Sequence, residues 1–201
     1  MSYLNRPSAK KVWLLGASTG GLEVVKEFLS GVPVSPEIAF IYVQHIAEQQ
    51  MDTVLRIIKT QTGWPVRLAS TGQVIAPGSV TIISPRFDTR FCKRGWLLRL
   101  NSHWSSQYAP SIDRLAGGLA LVYKDNCGVI IFTGMGDDGI KGCQTIVDRG
   151  GAVWVQDPKD CTAPAMPSAI MQSSKVDFIG TVSQLANKMR MDMEQMEACS
   201  Q

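Results

Sequence analysis

The stretch Val12–Leu29, VWLLGASTGGLEVVKEFL, constrains the fold of this chain more than any other. Four apolar residues, Val12 to Leu15, run into Gly16-Ala17-Ser18-Thr19-Gly20-Gly21, and an amphipathic segment follows. The apolar run has the length of a buried strand, while Leu22, Val25 and Leu29 recur at helical spacing. A strand that turns sharply into a helix puts its turn residues out at the carboxyl edge of a sheet, and glycines there let a ligand approach the main chain. Residues 16–20 also fit G-x-S-x-G, in which a serine is held exposed at such a turn. Ser18 is the leading nucleophile candidate.

The rest of the chain repeats this grammar. Ile38–Val43 reads as a second buried strand running into Gln44-His45, and a helix is expected over Met51–Thr62. Short strand-like pieces occupy Val66–Ile83. Thr89–Leu100 resembles a hairpin turning at Arg94-Gly95, which predicts an antiparallel edge on an otherwise parallel sheet. Pro110 opens a helix carrying Ile112, Leu115 and Leu119. Val129–Phe132 is a third buried strand, followed by Thr133-Gly134-Met135-Gly136-Asp137-Asp138-Gly139 and a helix over Ile140–Asp148. A strand at Ala152–Val155, a helix at Ala165–Met171 and a capping box at Thr181-Val182-Ser183-Gln184 complete the pattern. The alternation predicts an α/β fold: a doubly wound, mainly parallel sheet with helices on both faces and an antiparallel hairpin at one edge.

Bulk properties narrow the function classes. The 201 residues suffice for one domain with a full core. The net charge of +3 comes from interspersed signs without a basic run, which argues against nucleic acid as a partner. No apolar run is long enough to insert into a membrane, and the first residues lack the apolar core of a signal peptide. Five widely spaced cysteines with no C-x-x-C pair indicate neither a disulfide framework nor a zinc site, so a reducing cytoplasm is the expected compartment.

Ligands of open parallel sheets bind at the carboxyl ends of strands. Ser18, His45 and the pair Asp137/Asp138 each follow directly on an apolar strand, so three strands bring an alcohol, an imidazole and a carboxylate to one edge. That grouping suits acyl transfer: the hydroxyl attacks a carbonyl, an imidazole takes its proton, and a carboxylate orients the imidazole. With two histidines in the chain, the base is His45 or His103. Thr19 and Met135 are the expected backbone oxyanion donors. Each residue also has a plainer reading. Ser18 suits a helix cap or a phosphate site, His45 a structural hydrogen bond, and Asp137 or Asp138 an N-cap before Ile140.

The same segments resemble the CheB family of chemoreceptor protein-glutamate methylesterases. The matching stretches are GASTGG (Gly16–Gly21), QHI (Gln44–Ile46), APG (Ala76–Gly78), PSID (Pro110–Asp113), FTGMGDDG (Phe132–Gly139) and DxxxCxxxAMP (Asp157–Pro167), in the family's order. The resemblance implies a parallel α/β sheet with an antiparallel hairpin and a triad of Ser18, His45 and Asp138. It selects Asp138 over Asp137, because the motif GMGxDG leaves the first acidic position variable. It places oxyanion stabilisation at Thr19 and Met135, requires no cofactor or metal, and names the helical signalling region of a methyl-accepting chemoreceptor as partner. It divides the chain into a linker or disordered start (1–11), a catalytic domain (12–190) and a C-terminal tail (191–201). A phosphoacceptor receiver domain is expected outside this chain.

Two departures stand out. Family members often approach the PSID helix through an arginine-containing R-x-R-P-S-V-D-like segment, where this chain has Gln107-Tyr108-Ala109-Pro110, and QHI replaces the commoner QHM. The function expected from the resemblance is hydrolysis of glutamate γ-methyl esters, with glutamine deamidation by the same acyl chemistry. The competing readings are an inactive receptor-binding adaptor, a nucleotide-binding domain on Gly16–Gly21, and an α/β-hydrolase with the order Ser…Asp…His. The nucleotide reading lacks a P-loop lysine and the G-x-G-x-x-G spacing. The hydrolase reading finds no histidine after Asp138.

Overall fold

A computed structural model describes residues 9–92 and 96–198. The elements alternate as expected from the opening unit. Strand β1 (Lys11–Ala17) leads to helix α1 (Gly21–Ser30), and β2 (Ile38–Gln44) to α2 (Met51–Gln61). The short strands β3 (Val66–Leu68), β4 (Gln73–Val74), β5 (Val80–Ile82), β6 (Thr89–Phe91) and β7 (Trp96–Arg99) follow. The second half runs α3 (Ile112–Tyr123), β8 (Cys127–Ile131), α4 (Ile140–Asp148), β9 (Ala152–Gln156), α5 (Ala165–Ser173), β10 (Phe178–Gly180) and α6 (Val182–Ala198).

Seven strands make one sheet in the order β10-β9-β8-β1-β2-β5-β3, and every neighbouring pair is parallel. A parallel sheet covered on both faces needs strands that are apolar throughout, which is why β1, β2 and β8 read as continuous apolar runs. Alternate residues then serve opposite layers. Val12 and Leu14 join an aliphatic cluster with Ile112, Leu115 and Leu119 of α3, Ile146 of α4 and Ile170 of α5. Trp13 and Leu15 join a cluster with Phe28 of α1, Ile58 of α2 and Leu185 of α6. The second layer is rich in rings: Trp13 and Trp154 lie 4.3 Å apart between centroids, and Phe28 meets Phe40 and Phe132 edge-on. Edge-to-face contact suits the ring quadrupole and adds about 0.5–1.5 kcal/mol per pair beyond burial.

The antiparallel hairpin exists, but in its own sheet rather than at the edge of the main one. Strand β7 pairs with β6 on one side and β4 on the other, giving a three-stranded sheet β4-β7-β6. Residues 73–74 take the second edge of β7, and Phe91 packs on the aliphatic layer at Gly118 of α3, which holds the hairpin over the helices. The expected turn at Arg94-Gly95 lies outside the described residues.

Three boundaries move. Helix α3 begins at Ile112 rather than Pro110, because the Ser111 hydroxyl caps it by accepting the Arg114 N–H at 3.4 Å. At the start of the chain, β1 already includes Lys11, and the buried Ala9 donates its N–H to Ile75, so a linker over 1–11 is too long. At the end, α6 runs on to Ala198, so a tail beginning at 191 cuts through a helix. Met189 and Met193, one turn apart, are both buried, and that apolar stripe carries the helix past the expected boundary. The capping box at Thr181 is formed reciprocally: Gln184 N–H donates to Thr181 Oγ1, and Thr181 N–H to Gln184 Oε1. Among the described residues, no helix is long and apolar enough to cross a membrane.

Candidate active site

Strands β8, β1 and β2 are neighbours in register, with Gly16 opposite Ile131 and Ala17 opposite Gln44. Ser18 and His45 therefore leave the sheet side by side, next to the turn that follows β8. The turn holding Ser18 is fixed by backbone bonds: Ser18 N–H donates to Thr133 O at 3.0 Å, Gly21 N–H to Ser18 O at 2.9 Å, and His45 N–H to Ala17 O at 3.1 Å. A buried side-chain brace reaches the same place. The Tyr42 hydroxyl donates to Gln44 Oε1 at 2.6 Å, and Gln44 Nε2 donates to Ser18 O at 2.6 Å.

Two glycines make this closeness possible. A Cβ at Gly21 would stand 2.5 Å from both the Ala17 Cβ and Gln44 Oε1. At Gly134 it would stand 2.6 Å from Met166 Cε and 2.8 Å from the Ser18 Cβ. A side chain at either point would force its neighbours to shift. Ser18 itself is half-buried, and among the described residues its hydroxyl makes no hydrogen bond. No side chain caps α1, so Ser18 is not a helix cap. Ser18 lines a cavity of about 460 Å³ together with His45, Ile46 and Thr53.

Asp138 resolves the choice that local chemistry left open. It is 2% exposed, and its Oδ2 lies 2.9 Å from His45 Nε2. The same carboxylate accepts the N–H groups of Ile112 at 2.7 Å and Asp113 at 3.0 Å, and the Ser111 hydroxyl at 3.3 Å. Those donors open α3, so the positive end of a helix stabilises the buried charge. Asp113 returns the arrangement by accepting Gly139 N–H and Gly142 N–H at the start of α4. Neither Asp137 nor Asp138 caps α4. Burial raises the Asp113 carboxyl above its ordinary value, and the charge of Asp138 adds to that, against the lowering effect of the Gly142 and Gly139 N–H groups.

With Nε2 held by the carboxylate, Nδ1 is the nitrogen of His45 left to exchange a proton. His103 is exposed in the 101–111 segment and lines no part of the Ser18 cavity. Of the expected oxyanion residues, Thr19 lies on that cavity beside Ser18, while the Met135 side chain stands 58% exposed on the turn after β8. Among the described residues, the backbone N–H groups of Thr19 and Met135 are not taken by another protein group. The two turns are tied together, because Thr133 Oγ1 donates to Thr19 O at 3.0 Å and accepts Ala163 N–H at 2.8 Å. Among the described residues, no cluster of three or more His, Cys, Asp or Glu suits a metal. Burial pushes the Cys161 thiol up to about 11, which leaves it a poor nucleophile.

Reading the sequence missed Tyr108. Its ring stacks on His45 with centroids 5.1 Å apart and planes 9° from parallel, and its hydroxyl donates to Asp137 Oδ1 at 2.9 Å. The only sequence signal was that this residue stands in the departing segment Gln107–Pro110.

Comparison with known proteins places the chain in one family. The model of the CheB methylesterase family matches residues 13–189. The chain is 28% identical to protein-glutamate methylesterase/protein-glutamine glutaminase 1 of Saccharophagus degradans over 91% of its length, covering 50% of that protein. It is 30% identical to the third such protein of Pseudomonas aeruginosa, with 77% of the chain and 46% of the relative aligned. It thus spans about half the length of these relatives. A putative methylesterase/glutaminase of Leptospira interrogans is 26% identical and is covered over 96% of its length. The crystal structure of the Thermotoga maritima CheB methylesterase catalytic domain superposes with a TM-score of 0.85 at 23% identity, covering 92% of this chain and 99% of that one, so the fold is shared. The extent of the family match, 13–189 of 201 residues, means that this chain belongs to the CheB methylesterase family.

Proposed function

We propose that the chain is a serine esterase that hydrolyses glutamate γ-methyl esters on the helical signalling region of a chemoreceptor in the cytoplasm. The observation that supports this most is the 2.9 Å bond between His45 Nε2 and the buried Asp138, one strand from the unengaged Ser18 hydroxyl. In this reading Ser18 Oγ attacks the ester carbonyl while His45 Nδ1 takes its proton, and Asp138 stabilises the imidazolium. The Thr19 and Met135 N–H groups receive the developing oxyanion. His45 returns the proton to the departing methoxide, methanol leaves, and water cleaves the acyl-enzyme with His45 as base again. Glutamine side chains react by the same steps, with ammonia leaving. Acyl chemistry of this kind requires no metal or organic cofactor.

The test is methanol release from methylated receptor. Wild type should release it, and Ser18→Ala should lose about 10⁶-fold in turnover, as removal of a serine nucleophile does elsewhere. Undiminished release by the variant would sink the assignment. A second reading, a receptor-binding adaptor without turnover, draws on the departing Gln107–Pro110 segment and on a Ser18 hydroxyl that makes no hydrogen bond among the described residues. Receptor capture with no hydrolysis by the wild type would favour it.

A further inference from the structure

A carboxylate at one ring nitrogen sets the position of a histidine but leaves its plane loosely determined, because χ2 of histidine is a broad torsion. Catalysis by Nδ1 needs that plane held, since small misplacement of a reacting group is costly. In this chain the face of the His45 ring is covered by Tyr108, and the two rings are offset and nearly parallel. Tyr108 is itself tied at both ends. Its hydroxyl donates to Asp137 Oδ1 at 2.9 Å and accepts the Asp137 N–H at 3.4 Å, while its carbonyl accepts the Ser106 hydroxyl. The turn beneath gives it no slack: a Cβ at Gly136 would lie 2.5 Å from the Tyr108 hydroxyl.

We infer that Tyr108 is a positioning residue for the His45 imidazole, held in place by Asp137, so that both carboxylates of the Asp137-Asp138 pair act on one ring. Asp138 acts directly at Nε2, and Asp137 acts at the ring face through the tyrosine. The hydroxyl of Tyr108 is directed at Asp137, so its part is orientation and not proton transfer. The hydrogen bond to Asp137 also raises the Tyr108 phenol above its ordinary value, which keeps it neutral. The stacked phenol additionally favours the imidazolium formed during acyl transfer. The inference rests on the proposed esterase reading.

The experiment compares Tyr108→Ala, Tyr108→Phe and Asp137→Ala by methanol release and by NMR of the His45 ring protons, with Ser18→Ala as the control for the reading itself. Tyr108→Ala should lower kcat about 10- to 100-fold with KM little changed, and should remove the upfield ring-current shift of the His45 protons. Tyr108→Phe keeps the ring but loses the bond to Asp137, so it and Asp137→Ala should each retain most of the upfield shift and lie within about fivefold of wild type in kcat, well above Tyr108→Ala. Tyr108→Ala with wild-type kcat, or an unchanged His45 shift in that variant, would overturn the inference. So would a loss that Phe does not rescue and that appears in KM, since that marks a substrate contact. If wild type shows no turnover at all, the esterase reading fails, and the ring shifts still decide whether Tyr108 holds His45.

Discussion

The two walls of the site are built in different ways. On the Ser18 side, the turn after β1 meets the turn after β8 through main-chain bonds, and glycines at 21 and 134 stand where any side chain would collide. On the Tyr108 side, the 101–111 segment has no regular structure and is held by side chains: the Trp104 indole donates to Ser84 O at 3.3 Å, Arg114 donates to Ser105, and Tyr108 reaches Asp137. One wall positions backbone by excluding side chains, and the other positions a ring by supplying them. A wall of the first kind tolerates almost no substitution. The second kind can be rewritten residue by residue, and it carries the Gln107–Pro110 segment.

Asp138 belongs to both walls, so its loss should have the largest effect of the changes considered next. Asp138→Asn turns an amide nitrogen toward a carboxylate's donors, His45, Ile112, Asp113 and Ser111. Turnover should fall about 10⁴-fold, the size seen when a triad aspartate is neutralised elsewhere, with about 1–3 kcal/mol lost in denaturant unfolding. Gly134→Ala attacks the glycine wall alone. Its Cβ must displace Met166 or the Ser18 backbone, and overpacking of this kind costs about 1–3 kcal/mol. Turnover should fall with it, whereas an active, fully stable variant would show that the wall has more room than its contacts imply.

Tyr42→Phe tests the brace under Ser18. Burial lifts the Tyr42 phenol far above its ordinary value, so its hydroxyl is a permanent donor to Gln44. Removing it should cost about 1 kcal/mol in thermal unfolding, with a modest loss of turnover. Asp113→Asn should have the smallest effect, confined to the pH dependence of stability. Because burial raises the folded carboxyl above its unfolded value of 3.8, the native state binds more protons between those values, and wild-type stability falls as pH rises through that interval. The asparagine keeps an oxygen for Gly139 and Gly142 but does not ionise. The variant should therefore gain stability relative to wild type on going from below pH 3.8 to above the interval. A constant difference in melting temperature across that range would count against the raised carboxyl.

Much of this architecture was legible in the chain because it follows from periodicity and punctuation. Ile140–Asp148 is bounded by a glycine turn and by Arg149-Gly150-Gly151, and the helix occupies the expected residues. The strands β1, β2 and β8 announce themselves because burial on both faces demands uninterrupted apolar residues. The hairpin was visible as a pair of strands, but its sheet was not, since partner choice depends on β4, a two-residue strand with no pattern of its own. Helix α6 was underestimated because Met193 stands among Arg190, Asp192 and an exposed Met191, and counts as core only once the layer that also holds Trp154 and Phe28 is assembled.

Order of residues alone determined that an alcohol, an imidazole and a carboxylate would emerge from three apolar strands, because strand length and turn chemistry are local properties. Residue chemistry left both carboxylates and both histidines open, the resemblance pointed to Asp138 and His45, and tertiary structure is what brings that pair together. Asp137 and Asp138 differ by one position, yet only Asp138 is turned inward to the start of α3 and to His45, while Asp137 faces Tyr108. A polar contact between segments 93 residues apart leaves no periodic trace in either, since it is made by the packing of the strands that carry them.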